Sequence, residues 1–279
     1  MNINDWLHHA QNELTESGCP DPAIDARWMA ESALGMTRID LKFEGDRALS
    51  PEALEKLNDM LRRRAAGEPV QYILNRADFM GLQFYVDARV LIPRQDTETL
   101  VEAALIGLRG AQSPAALDLC TGSGCVGLSL KSLVPDAEMT LADLSRDALE
   151  VACINAERMG ADVKLRQGDL FRAVGRARYD VIACNPPYIP RGDLPGLQRE
   201  VRREPAMALD GGADGLDFYR RIADGAPAHL NAGGTICLEV GAGQADAVLQ
   251  LLRSRIDCDD SGAIDDLNRI PRVVWARSK

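Results

Sequence analysis

Leu117-Asp118-Leu119-Cys120-Thr121-Gly122-Ser123-Gly124-Cys125 reads as an apolar strand that passes through a glycine loop into a helix. Glycines in such a loop let the backbone approach a bound group closely, and the N-terminus of the next helix favours negative charge. Outward from this stretch the chain alternates between two periodicities. Strands are predicted over 115–119, 139–142, 163–166, 181–184, 234–240 and 272–276, with helices over 124–133, 147–159, 218–230 and 242–253. Pro135 follows the first of these helices and Gly160 closes the second. Such alternation implies an α/β fold in which helices cover both faces of a parallel sheet.

In an open sheet of this kind, ligands gather outside the carboxyl ends of the strands. The residues that end each strand therefore matter most. The loop after the first strand offers Cys120, Thr121, Gly122, Ser123 and Gly124. Taken alone it is weak evidence, because dinucleotide-binding folds use similar loops. Asp143 ends the second strand, where an acid accepts hydrogen bonds from both hydroxyls of a ribose. Asp169 and Phe171, in Gly168-Asp169-Leu170-Phe171, follow the third strand and are placed to meet an adenine amine and ring. Three loops at successive strand ends imply an adenosine ligand, and point to S-adenosylmethionine as the cofactor.

The fourth strand stops at Asn185-Pro186-Pro187-Tyr188. Pro186 and Pro187 have fixed φ and no N–H, so this turn presents carbonyl acceptors and few donors. Asn185 adds a side-chain carbonyl, and Tyr188 adds a flat ring with a hydroxyl. Two acceptors and one aromatic face suit a planar NH2 group. Asn185, Pro186, Pro187 and Tyr188 are thus the candidate substrate-binding residues. Asn185, Pro186 and Tyr188 are the candidate catalytic residues, and Asn185 also borders the cofactor.

The chain before this region reads as helical for its first 70 residues. Trp6, Leu7, Ala10 and Leu14 lie at helical spacing, and a second helix over 22–34 is expected to turn Ile24, Trp28 and Met29 inward. Ser50-Pro51-Glu52 is a helix start, with a capping hydroxyl, a proline at the first position and an acid in the first turn. Arg62-Arg63-Arg64 reads as a solvated helix end favoured by the dipole. Gly81 between the apolar runs at 79–80 and 82–86 suggests a β-hairpin. The expected domains are a helical docking domain over 1–72, a hairpin connector over 73–94, and the α/β domain over 95–279.

Of the 279 residues, 46% are apolar, which supports a packed core. The net charge of -10 disfavours a nucleic acid substrate, because the molecule as a whole repels phosphate. No apolar run approaches a membrane span, and Met1-Asn2-Ile3-Asn4-Asp5-Trp6 lacks the basic and apolar regions of a signal peptide. Seven cysteines without paired spacing imply a reducing, cytoplasmic setting, with Cys120, Cys125, Cys153, Cys184 and Cys237 as small buried residues. His8, His9 and His229 are not spaced with cysteines as a metal site requires, so no metal is expected.

The chain resembles the PrmC (HemK) family of peptide chain release factor glutamine methyltransferases over nearly its whole length. The segments that carry the likeness are Gly67-Glu68-Pro69-Val70-Gln71-Tyr72-Ile73, Leu91-Ile92-Pro93-Arg94 with Thr97-Glu98, Asn185 to Ile189, and Glu204-Pro205. They also include Gly211-Gly212 with Asp214-Gly215, and Glu239-Val240-Gly241 with Gln244. The resemblance implies a class I, Rossmann-like methyltransferase domain with a small helical N-terminal domain and a connecting hairpin. It also implies the acceptor, the glutamine of the Gly-Gly-Gln loop in release factors. Methylation of a ribosomal-protein glutamine, methylation of adenine in nucleic acid, and a non-catalytic S-adenosylmethionine-binding protein are the alternatives. The chain departs from the family pattern at Gln95-Asp96, where Pro-Glu is expected, and at Asn75 and Cys120, where glycine is expected.

Overall fold

Asn2, Thr37 and Ser50 each accept a backbone N–H three residues ahead, and so start three helices of the N-terminal region. At Asn2 and Thr37 the acids Asp5 and Asp40 reach back to complete capping boxes. The computed structural model describes residues 1–110 and 112–279. Its contacts divide the chain into two units, Met1–Arg76 with Gln198–Arg203, and Ala77–Leu197 with Glu204–Lys279.

The first unit holds α1 (Ile3–Glu16), α2 (Pro22–Leu34), α3 (Arg38–Phe43), α4 (Pro51–Ala65) and α5 (Val70–Leu74). Its core is built from Ile3, Trp6, Leu14, Met29, Leu57 and Leu61, and the Trp6 indole donates to Asn58 at 3.0 Å. Two expectations change here. Ile24 and Trp28 are exposed, and the buried face of α2 is Asp25, Ala26, Met29 and Ala30. An acid stands inside because Arg64 stands inside as well. Arg64 is 4% exposed, so it is no solvated helix end. Its Nε donates to Asp25 at 2.6 Å and its Nη1 to Glu200 at 2.9 Å, which ties Gln198–Arg203 into this unit. Arg62 and Arg63 do face solvent, paired with Asp59 and Glu68.

Asn75 ends α5 with φ 51. Asparagine is the residue that most readily replaces glycine in this left-handed conformation, which accounts for the departure at that position. The second unit opens on β1 (Ala77–Phe79) and β2 (Leu82–Phe84), an antiparallel hairpin. Its turn residues Met80 and Gly81 both have positive φ, the geometry that matches the twist of paired strands. Phe79 and Phe84 meet edge to face and are buried in the core of this second unit.

There follow α6 (Glu98–Leu108), β3 (Ala115–Leu119), α7 (Cys125–Leu133), β4 (Glu138–Asp143), α8 (Arg146–Met159), β5 (Lys164–Gln167) and β6 (Tyr179–Cys184). The chain ends with α9 (Asp217–His229), β7 (Leu230–Glu239), α10 (Ala245–Arg255), β8 (Cys258–Asp265) and β9 (Pro271–Ser278). The seven strands lie in the order β5-β4-β3-β6-β7-β9-β8. Alternate residues of the central strands face opposite cores. Leu117, Leu119, Ile182 and Cys184 pack with α9 and α10, while Ala116, Val181 and Ala183 pack with α6, α7 and α8. The sheet is mixed, since β9 runs antiparallel to both β7 and β8. β8 has no counterpart in the predicted strands, because Cys-Asp-Asp-Ser-Gly-Ala-Ile-Asp lacks an apolar alternation and none of its residues is buried.

Candidate active site

From β3 the chain winds outward through β4 to β5, then returns to β6 on the other side of β3. The loops leaving β3 and β6 therefore part, and a crevice opens where they do. A cavity of about 640 Å³ lies there, lined by residues at the ends of β3, β4 and β6 and by the segment after β5.

Asp118 holds the glycine loop from below. Its Oδ2 accepts from the Thr121 hydroxyl at 2.5 Å and from the Gly127 N–H at 2.8 Å. Burial pushes its carboxyl up to about 7, opposed by those two hydrogen bonds. Above it, Gly122 and Gly124 have positive φ, and a Cβ added at Gly122 would meet nothing, so this backbone is open to a ligand. Cys120 also has positive φ, +61°, but its side chain is accommodated and lines the cavity. Gly127 completes a Gly-x-Gly-x-x-Gly spacing, so the glycines alone fit a dinucleotide as well as another adenosine ligand. A Cβ there would stand 2.2 Å from the Leu141 side chain, so this third glycine lets α7 pack closely on the sheet.

Asp143 decides more. Its two oxygens accept from Gly122 N at 2.9 Å and from Ser145 N at 2.8 Å, and burial raises its pKa. An ionised carboxylate has about four acceptor positions, so two remain for vicinal hydroxyls. That donor and acceptor set fits the ribose of S-adenosylmethionine. Asp169 also lines the cavity, with Arg221 at 2.6 Å from each oxygen. Phe171 does not line it. The ring stacks on His229 with centroids 4.5 Å apart and is 8% exposed, as part of the core. Leu170, at φ +50°, takes the lining position instead.

Asn185 and Pro187 also line the cavity, while Pro186 and Tyr188, expected to bind the substrate, do not. The turn is braced from several sides. Gln244 donates to the Tyr188 carbonyl at 2.9 Å, and the Gly211 N–H donates to the Ile189 carbonyl at 2.9 Å. A Cβ at Gly211 or Gly215 would strike the Tyr188 backbone, at 2.7 and 2.4 Å. The Asn185 Nδ2 donates to the Thr97 hydroxyl at 3.3 Å. Tyr188 donates to Glu239 Oε1 at 3.4 Å, and its own pKa is raised by burial and by the Glu239 charge. Glu204, 5% exposed, accepts from Ile92 N at 3.0 Å and pairs with Arg94, which fixes the segment before Thr97. Arg272 bridges Asp96 and Asp266 at 3.1 Å each. The acid at the Gln95-Asp96 departure thus has a partner. Among the described residues no cluster of three or more histidine, cysteine or acidic side chains could hold a metal.

A Rossmann-like sheet with a cavity at its switch point, and an amide facing that cavity, suit a methyltransferase, and the family matches place the chain in that class. Residues 5–74 match the PrmC N-terminal domain, and residues 97–196 match the methyltransferase small domain. The release factor glutamine methyltransferase of Geobacter sulfurreducens is 44% identical over 99% of this chain and 95% of its own length. The chain belongs to the release factor glutamine methyltransferase family. Solved structures show the same fold at low identity. One is a methyltransferase from Pyrococcus furiosus, with a TM-score of 0.53 and 16% identity over 79% of this chain and 98% of that one. Another is the Thermus thermophilus 16S rRNA N2 G1207 methyltransferase in complex with AdoMet and guanosine, with a TM-score of 0.52 and 18% identity. That match covers 73% of this chain and 50% of that one.

The structure thus gathers Cys120 to Ser123, Asp143, Asp169, Asn185 and Pro187 around one cavity, whereas Gly124, Phe171, Pro186 and Tyr188 do not line it. Sequence reading assigned no role to Leu170, Thr97, Glu204 or Glu239. Thr97 and Glu239 lay within the quoted family segments, but their burial and partners come from distant parts of the chain.

Proposed function

We infer that this chain transfers a methyl group from S-adenosylmethionine to the side-chain amide nitrogen of a glutamine, the one in the Gly-Gly-Gln motif of peptide chain release factors. A cytoplasmic setting suits that substrate. One observation carries the reading: the Asn185 amide borders the cavity with its Nδ2 engaged by Thr97. Its Oδ1 is then the atom offered to a bound group. The net charge of -10 favours a protein acceptor over nucleic acid.

The backbone of Cys120 to Gly124, Asp143, Asp169 and Leu170 would hold the cofactor. When bound, it supplies an electrophilic methyl group on a sulfonium. An amide nitrogen is a poor nucleophile because its lone pair is delocalised into the carbonyl. Asn185 Oδ1 would accept one NH2 hydrogen from the cavity side, and the Pro186 carbonyl would take the other only if the acceptor reaches past the cavity lining, to where Pro186 lies. They turn the nitrogen's π density toward the donor side and stabilise the positive charge that develops. Pro187 and Tyr188 shape the pocket around the amide plane. Alignment of this kind supplies about 7–11 kcal/mol in favourable cases.

Asn185→Ala tests the reading. Turnover on an intact release factor is expected to fall roughly 10²–10³-fold, while the cofactor still binds. Replacing the acceptor glutamine by glutamate should end methylation, because a carboxylate has no NH2 to present. Mass spectrometry that places the methyl group on another residue, or label that appears in DNA and not in the factor, would overturn the assignment.

A further inference from the structure

The pairing of Cys184 with Leu238 sets Glu239, the last residue of β7, level with Asn185 on the neighbouring strand. Glu239 is 1% exposed, and its Oε2 has no hydrogen-bond partner. Tyr188 donates to its Oε1, and the Thr97 hydroxyl lies close enough to the carboxylate to favour its charged form. Thr97 is also the group that receives Asn185 Nδ2. A threonine hydroxyl has one proton to give. Beside an ionised carboxylate that proton goes to Glu239, and Thr97 can only accept from Asn185. The amide must then turn its NH2 to Thr97 and its oxygen to the cavity.

We propose that Glu239 is a positioning residue for methyl transfer, whose buried carboxylate orients Asn185 through Thr97 and steadies Tyr188 directly. The proposal rests on the acceptor reading above. Protonating Glu239 reverses the relay. The acid donates to Thr97, Thr97 donates to the Asn185 oxygen, and Asn185 then offers the cavity an NH2 where the acceptor also brings one. Several groups face this carboxylate. Arg272, at the start of β9, favours its charge, and Asp96, ahead of α6, opposes it. Tyr219 of α9 donates to the Glu239 backbone carbonyl at 2.8 Å, and the Cys125 thiol of α7 also feels the Glu239 charge. Burial outweighs the hydrogen bond from Thr97 and the Arg272 charge, and pushes the carboxyl up to about 7. The relay therefore changes state near neutral pH.

Glu239→Gln at saturating donor, with an intact release factor as acceptor, is the test. The wild-type kcat should fall on the acid side with an apparent pKa of about 7. In the variant that limb should flatten, and kcat should drop roughly 10–100-fold, by analogy with the outer partners that orient metal ligands. Donor affinity should stay as in wild type. Asp118 is also pushed up to about 7, but its protonation acts on the glycine loop and is read in donor affinity, not in kcat at saturation. A second pair keeps the test open if Glu239→Gln does not fold. Thr97→Val should lose kcat to a similar extent, and Thr97→Ser should recover most of that loss. Carbon-13 titration of the Glu239 carboxyl gives a readout free of turnover. An acid limb that persists in folded Glu239→Gln, or a normal kcat in Thr97→Val, would overturn the proposal. A wild-type enzyme that methylates no release factor would instead overturn the reading beneath it.

Discussion

Asp143 braces the glycine loop through Gly122 and Ser145, and its carboxylate has acceptor positions to spare for the proposed ribose. Asp143→Ala is expected to weaken S-adenosylmethionine binding by about 1.5–3 kcal/mol, the scale of hydrogen bonds to a charged group. Calorimetry that finds unchanged affinity in the folded variant would remove it from the ribose role. Asp118, buried one strand away, makes a prediction about pH. The unfolded chain titrates an aspartate near about 4, and the folded chain titrates this one at about 7. Between those values the folded state holds the extra proton. This group therefore favours folding most below the lower value, and that contribution is lost as pH rises through the upper one. Asp118→Asn has no such dependence. The difference in Tm between Asp118→Asn and wild type should shift in the variant's favour as pH rises from about 5 to about 8. A difference that stays flat over this range would count against the raised pKa.

At the scale of elements, the contact that matters most for the cofactor loop is α7 against β3 and β4. Gly127 makes it possible, with Leu141 and Asp118 on the other side. Gly127→Ala should destabilise the fold by about 1–3 kcal/mol through overpacking, even though alanine is the better helix former. It should also weaken cofactor binding, because Asp118 accepts from the Gly127 N–H and carries the loop. A thermal melt paired with a binding titration checks both halves, and an alanine variant as stable as wild type would show that α7 can shift without loss. The β9 strand makes the opposite point. Its antiparallel run carries Arg272 to Asp96 and toward Glu239, so a strand remote in sequence completes the surroundings of the site.

On the scale of the whole molecule, two units each have their own core, and one short segment departs from the chain order. Gln198–Arg203 belongs with the helical unit, held by the Arg64 pair to Glu200 and by bonds from Arg199 and Arg203 to the Ala65 and Ala66 carbonyls. Arg64→Ala leaves Asp25 buried without its cation, and should cost about 3–5 kcal/mol. The expected signs are a lower first transition in a calorimetric scan and faster proteolysis within 198–203. Unchanged cleavage in that segment would mean that the Arg64 pair to Glu200 contributes little to its order.

What the sequence by itself determined rests on local periodicity and turn chemistry. The strands at 115–119 and 181–184, the helix starts at Ser50 and Asp147, and the loop with Asp143 at the next strand end could be read because each signal lies within a few residues. That the fourth strand stops at Asn185-Pro186-Pro187-Tyr188 was legible for the same reason. Only the tertiary structure decided which polar groups are buried and what they touch. Arg64 among other arginines, Phe171 beside Leu170, and Glu239 at the end of an apolar strand carry no local mark of their surroundings. Their partners lie far off in the chain, at Asp25 and Glu200, at His229, and at Thr97 and Tyr188. Burial and charge are properties of a site assembled from distant segments, and they exist only once the sheet has brought those segments together.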